Sequence, residues 1–544
     1  MQSMRRVFAL AALALLLTGC PSTDGNAVVT RIALFEAVPS SVERGNEVTL
    51  LWQVEEAGTQ VGMPSCTLAR QVEGLAPEAP FEVACSGSLT EVPPAGAAAT
   101  FVQYRLSALK SPFVAADPYL SAQQTVGIAP GPFAPAVVAD EAAGTRQRYN
   151  REFVAIDAGR LFSSRTRTIE GTVLEGTVRI HARTAPGVWT LTTTLTPPPG
   201  ETYREFGTAI EARGSTLVVL GFRRTSTGPD VYESVLHVYE AGTTGAWTQS
   251  AVLLEGEGIG ISLGTFPDIA IALASDTLAV GLPSGSGGVP SEVRVYGRDV
   301  GGPNAWGLAT TIPSPTSLND MATGFFGTDV DLSEDGQLLA VAASYQGDDS
   351  CIGGGESVLV YERAAPADPT TWTLIDTIPG SELIGCSSYV EVDGDTLAVT
   401  AIGATYVDLL VFERGAGGGA NDYAEVRSPR FNVPTSAGIS VFWAAPSIRL
   451  RADTILVGVV AAQCISMEPT SPCAPGVVQV VKRDTGGPGT WGIDQVLQPN
   501  PADTDQGFGV ALDISADGRH VAVGTNPRPT SDPSRDGVVF VFER

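Results

Sequence analysis

Along most of this chain, short runs of Val, Leu, Ile and Tyr alternate with polar residues, and Gly, Asp and Pro punctuate them. That pattern predicts half-buried β-strands. Residues 325–378 show it most plainly, with an FG-led run, then LAVAAS, SVLVYER and WTLIDTI. A tight SEDG turn joins the first two runs, and a long Gly/Asp stretch separates the second from the third. One four-strand meander cannot cover both its faces, so it needs neighbours of its own kind.

The rest of the chain supplies them. The Trp-type strand recurs at Trp189, Trp247, Trp306, Trp372, Tyr423 and Trp491, spaced 51 to 68 residues apart. The YER-type strand recurs as VRIHAR, VLHVYE, VRVYGR, VLVYER, LLVFER, VQVVKR and VFVFER, which makes seven copies. A LAV-type strand precedes each, with RLFSSRT as a degenerate first copy. The FG-type strand is clear at Phe206-Gly207, Phe326-Gly327 and Phe508-Gly509, fainter at Phe153, Leu263-Gly264 and Tyr389, and nearly lost in the sixth copy. The seventh copy stops at Arg544, straight after its YER strand. Residues 132–140 (PFAPAVVAD) fit the missing fourth strand, with Phe133 in the Trp place. An outer strand from one end of the repeats and three inner strands from the other would close a ring and remove its exposed edge. The expected fold is all-β: a seven-bladed β-propeller over 133–544, after a linker at 129–132.

This repeat resembles the FG-GAP family of integrin alpha-chain propellers and many bacterial secreted proteins, whose bacterial form reads FGxSVALSGDTLAVGAP, a variable loop, GAVYVFER and then W. The resemblance implies architecture, since propellers host adhesins, scaffolds and enzymes alike.

Two further segments precede the repeats. Arg5 and Arg6 lead an apolar run, Val7 to Leu17, too short to span a bilayer. Leu17-Thr18-Gly19-Cys20 then resembles the lipobox of bacterial lipoproteins, against the alternative of an ordinary secretory leader with an incidental Cys. The resemblance implies a signal peptide at 1–19, acylation of Cys20, a tether at 20–29 and a membrane anchored through lipid. Pro21 after Cys20, by the same resemblance, points to the outer membrane. Residues 30–128 (IALFEAVPSSVERGNEVTLLWQVEEAG, SCTLA, FEVACSG, TFVQYRLSALK) resemble bacterial immunoglobulin-like modules, with Trp52 on a central strand of a β-sandwich.

The formal charge of −26 excludes a nucleic-acid partner, whose phosphates would need compensating cations. Beyond Cys20 there remain Cys66, Cys85, Cys351, Cys386, Cys464 and Cys473, an even number that in an exported chain reads as disulfides. Cys66 and Cys85, on two candidate strands, would staple the small module; buried free thiols are the alternative. Cys464 and Cys473 would close one loop, and Cys351 and Cys386 would tie neighbouring blades.

Candidate chemistry is sparse. Many FG-GAP blades bind calcium through DxDxDGxxD, and Asp331, Ser333, Asp335 and Asp513, Ser515, Asp517 stand at the matching positions. Ser in third place and an apolar residue in the last make these loops read as tight Asp/Gly turns, so no cofactor is expected. Gly260-Ile-Ser262-Leu-Gly264 copies a nucleophile elbow without its strand-to-helix context. His181, His237 and His520 fall on three different blades. Sialidase-type Asp boxes fail on spacing. The repeated tryptophans read as blade packing; Trp443 alone is off-repeat. Most connections between second and third strands are long (222–233, 344–356, 461–476, 525–536), excepting a short one near Ala404, and long loops on a rigid frame are where binding resides. The expected function is a lipid-anchored, non-catalytic binding or adhesion protein of the cell envelope that holds a protein or glycan, with the immunoglobulin-like module as a stalk. The alternatives are a propeller lyase or hydrolase acting on polysaccharide, and an envelope scaffold.

Overall fold

The computed structural model divides into two compact units, 1–131 and 132–544. It describes residues 29–38, 41–43, 48–57, 66–72, 77–93, 101–109 and 119–129 of the first. In the second it describes 133–142, 153–169, 173–224, 232–243, 245–254, 269–283, 291–315, 324–345, 357–365, 368–379, 386–402, 406–426, 428–432, 447–460, 476–485, 489–498, 508–525 and 537–544. Every regular element among these residues is a β-strand.

The first unit pairs a three-stranded sheet (Val29–Val38, Val48–Ala57, Ser86–Glu91) with a five-stranded one. Strand Ser41–Glu43 joins the second sheet by parallel pairing to Tyr119–Ala129. Inward residues of both sheets, among them Leu50, Trp52, Leu68, Tyr104 and Leu106, form one buried cluster. The Trp52 indole N–H donates to the Ala84 carbonyl (2.7 Å), which meets the one polar demand of that ring. Cys66 and Cys85 are bridged. Cys66 lies on a strand, but Cys85 occupies the bend between Phe81–Val83 and Ser86–Glu91, where the chain passes from one sheet to the other. The bridge therefore links the two layers. Replacing both cysteines with serine should lower the stability of this unit by about 3 kcal/mol, given the short loop closed. Denaturation of the oxidised and reduced chain, followed at Trp52, checks that value.

The second unit is a β-propeller. Among the described residues it contains six four-stranded sheets and one of five strands. In chain order they cover 154–195, 203–253, 270–313, 324–378, 386–432, 448–497 and 511–543. In each, the first strand pairs the second, the second the third and the third the fourth, all antiparallel. The seventh sheet is completed by Ala134–Ala142, which runs antiparallel to Gly537–Glu543 in a register that sets Ala136 opposite Val541. First strands also touch one another in sequence, and Ala511–Ile514 returns to touch Val154–Asp157, so the ring is closed. In the fifth sheet the outer strand is broken into Tyr423–Val426 and Arg430–Asn432, both paired with Tyr406–Arg414.

Burial runs from the axis outward. Second strands such as Thr277–Leu282 and Thr454–Val459 are buried at every position, whereas the outer strand Val188–Leu195 alternates between exposed and half-buried. The half-buried expectation holds for the outer strands and for third strands such as Val477–Arg483, where buried and half-buried positions alternate. Second strands are covered on both faces by the adjacent sheets, so polar alternation has no solvent to serve there.

The repeated motifs bind sheet to sheet. Phe206, Phe326 and Phe508 are fully buried, and the glycine after each has φ between 85° and 94°, a conformation only glycine adopts cheaply. Gly207 and Gly327 lie in bulges, and Gly327 and Gly509 turn a carbonyl onto the preceding sheet. The Gly509 carbonyl oxygen rests on the Cα of Gly458, and that of Gly327 on Gly281, so closely that a Cβ at Gly458 or Gly281 would overlap it. The YER strand supplies a second clamp. Glu543 accepts from Arg183 (2.8 Å) and from the Trp189 indole (3.1 Å) of the first sheet. Glu240 does the same for Arg298 and Trp306, and Glu413 for Arg483 and Trp491. Each of these two arginines also lies over the tryptophan of its own sheet, and Arg544 lies over Phe133 in the same way, 4.4 Å from the ring centre.

Candidate functional site

The densest group of ionisable side chains in the described residues lies at the ring's centre. Strand register locates it. In every sheet an apolar residue near the end of the first strand faces the LAV-type strand: Ile156 opposite Leu161, Ala212 opposite Leu217, Leu273 opposite Leu278 and Leu332 opposite Leu339. The remaining three are Val392 opposite Leu397, Leu450 opposite Ile455 and Ile514 opposite Val521. Successive strand residues point to opposite sides. The positions just before these apolar residues are Ala155, Glu211, Ala272, Asp331, Glu391, Arg449 and Asp513. The positions just after are Asp157, Arg213, Ala274, Ser333, Asp393, Arg451 and Ser515.

Arg449 is the hub. Its guanidinium meets Glu391 of the fifth sheet at 2.7 Å, Glu211 of the second at 2.8 Å and Asp513 of the seventh at 3.5 Å. The second and sixth sheets are not neighbours, so this contact crosses the axis. One step toward the turns, the Glu334 carboxylate lies between Arg213 (3.3 Å) and Arg451 (3.5 Å), again joining three sheets.

The carboxylates also stitch adjacent first strands through the backbone. Asp329 and Asp331 accept from the Val390 and Val392 amides, at 2.9 and 2.7 Å. Glu391 and Asp393 accept from Leu450 and Ala452, Asp513 from Ile156, and Asp157 from Gly214. Burial nevertheless dominates their acidity. It pushes the Glu211 carboxyl up to about 7 against the pull of Arg449, with Asp513 adding to the rise. Glu391 is likewise pushed up to about 7 by burial, opposed by Arg449. Asp331 is raised well above its ordinary value by burial and by the charge of Glu391, and Asp513 is raised by burial.

The sequence-selected residues fare differently. Each supposed calcium loop is divided. Asp331 and Asp513 face the axis, whereas the other members hold the turns: Ser333 donates to Asp335 (2.7 Å) and accepts from the Leu338 amide (2.9 Å). Ser515 does the same with Asp517 (2.6 Å) and the His520 amide (3.0 Å). Gly336 and Gly518 take the positive φ these turns need. Among the described residues no group of three or more His, Cys, Asp or Glu is arranged to hold a metal ion. His181, His237 and His520 lie in the first, second and seventh sheets; His237 bonds Tyr203 (2.8 Å) and Gln249 (3.2 Å) within its own sheet. Cys20, Cys351, Cys464, Cys473, Trp443 and the 260–264 segment lie outside the described residues, as does the Cys386 side chain, although the Cys386 backbone pairs with Ile402.

Glu211, Arg213, Glu391, Arg449 and Arg451 were not singled out from the sequence. Their signal was available in the charged residues at alternate positions (EAR, EVD and RLR) inside strands that should be the most enclosed of each repeat.

No family model and no curated protein sequence matches this chain. Solved structures similar to it include an alpha-L-arabinofuranosidase from Lactobacillus brevis, at 16% identity over 50% of this chain and 89% of that one, with a TM-score of 0.28. A GH43 endo-arabinanase from Bacillus licheniformis matches at 10% identity over 51% and 98%, with a TM-score of 0.26. A glucose dehydrogenase matches at 8% identity over 76% and 98%, with a TM-score of 0.29. Similarity at this level carries no functional inference for this chain.

Proposed function

We propose that this chain is a lipid-anchored, non-catalytic binding or adhesion protein of the cell envelope. In this reading it is a seven-bladed propeller of the FG-GAP type, preceded by an immunoglobulin-like module and tethered through Cys20. The observation that carries it is the inequality of the ring's two ends. First and second strands are joined by short turns, such as 158–159, 214–215, 394–395 and 452–453. Because the sheets are antiparallel meanders, second-to-third connections and the links between sheets leave from the other end. There the connections include 346–356, 460–476 and 525–536, while those of the first and fifth sheets, 170–172 and 403–405, are short. A rigid ring with long connections at one end is a frame for recognition of protein or glycan. The axial acids also favour binding over turnover, since their described contacts are to one another's arginines and to neighbouring backbone amides.

One observation favours a second reading, a propeller hydrolase or lyase acting on polysaccharide. Glu211 and Glu391 flank Arg449 and have carboxyls near neutrality, the range suited to proton transfer. A glycan and envelope-extract binding screen with residues 22–544, with and without EDTA, separates the readings. Retention without turnover is the expected result, and capture of envelope proteins alone would favour a scaffold. Depolymerisation that disappears in Glu211→Gln and Glu391→Gln would overturn the non-catalytic assignment.

A further inference from the structure

Among the described residues, the axis holds more negative than positive groups. Facing Arg449 from the fourth, fifth, seventh and second sheets are Asp331, Glu391, Asp513 and Glu211, with Asp329 close enough to raise the last and Glu391. Toward the turns lie Asp157, Glu334 and Asp393, balanced by Arg213 and Arg451. Among the described first-strand residues, the third sheet contributes Ala272 and Ala274 and the first adds Ala155, none of them a cation. Among the described residues, three guanidiniums thus serve eight carboxyl groups. Glu211, Asp329, Glu391 and Asp513 are each less than a tenth exposed. Enclosed carboxylates in excess of their cations are relieved most cheaply by taking up protons.

We propose that the propeller axis is a proton-dependent lock on the ring. With protons on the carboxyls around Arg449, first strands from the second, fourth, fifth, sixth and seventh sheets stay drawn together. Losing those protons leaves unbalanced negative charge among strands that converge on one centre, and the ring loosens.

The direction follows from linkage. Glu211 and Glu391 rise from an ordinary value of 4.5 to about 7 on folding, so the folded ring binds more protons than the unfolded chain across that interval. Their stabilisation is fully present below about 4.5 and is lost as pH rises through about 7. Glu543 works oppositely. Burial alone would raise it, but hydrogen bonds from Arg183 and the Gly187 amide hold it below its ordinary value, so its contribution is lost in acid.

The test is the melting temperature of the full chain in detergent between pH 5.5 and 8.5, followed by tryptophan fluorescence. The ring transition should fall by several degrees over that range. In Glu211→Gln/Glu391→Gln, which imitates the protonated pair, the fall should shrink by at least half, whereas Glu55→Gln on the exposed surface of the first unit should leave it unchanged. Calorimetry of the unaltered chain near pH 6, in buffers of different ionisation enthalpy, should detect about one to two protons released on unfolding. A flat or rising profile, an unchanged slope in the double variant, or absence of proton release would each overturn the proposal. The readout is stability, so it stands or falls separately from ligand binding.

Discussion

Replacing Arg449 with methionine should destabilise the ring by about 3–5 kcal/mol at pH 8, and by much less at pH 5. The side chain is central to three sheets, touching Glu211, Glu391 and Asp513. Removing it leaves three enclosed carboxyls without their shared cation. At pH 8 they must either remain charged in a poorly hydrated space or take protons against the solution's pH. At pH 5 Glu211 and Glu391 are already largely protonated, and methionine of similar length fills much of the same volume. Urea denaturation at the two pH values measures both numbers. An equal loss at both would mean that Arg449 acts by packing alone.

The second large effect is expected at Gly458. Alanine there should cost on the order of 3 kcal/mol or more, beyond ordinary overpacking, because the obstacle is backbone and not a side chain that can rotate away. The added Cβ would meet the Gly509 carbonyl and the Ser447 hydroxyl. The seventh sheet would have to move off the sixth, and Ser447 would lose its bond to the Gly509 carbonyl (2.8 Å). Gly281→Ala should behave alike against Gly327. By contrast, Gly394→Ala, in an open turn with nothing near the missing Cβ, should cost only the strain of its positive φ. Thermal denaturation of the three variants ranks them, and parity between Gly458→Ala and Gly394→Ala would refute the close-approach account.

These two positions also show how far the chain's own pattern reaches. Residue order alone was enough to reveal the strands, their repetition and the all-β class, because each repeat carries the same spacing of apolar residues and turn formers. The Trp and YER residues could be recognised as recurring, yet their task could not. Glu413 and Trp491 are far apart in sequence and in different sheets, and only the ring brings them together. The same holds for the acids. Asp331 and Asp513 drew notice for belonging to a calcium-like spacing, a local criterion, and the structure assigns their loops to turns and these two carboxyls to the axis. Glu211, Glu391 and Arg449 belong to no local motif at all. What the sequence determined by itself is what depends on neighbours a few residues away: strand, turn, repeat and the cysteine count. What tertiary structure alone decided is which charges share a dielectric, because burial and convergence arise only when first strands from separate repeats meet around one axis.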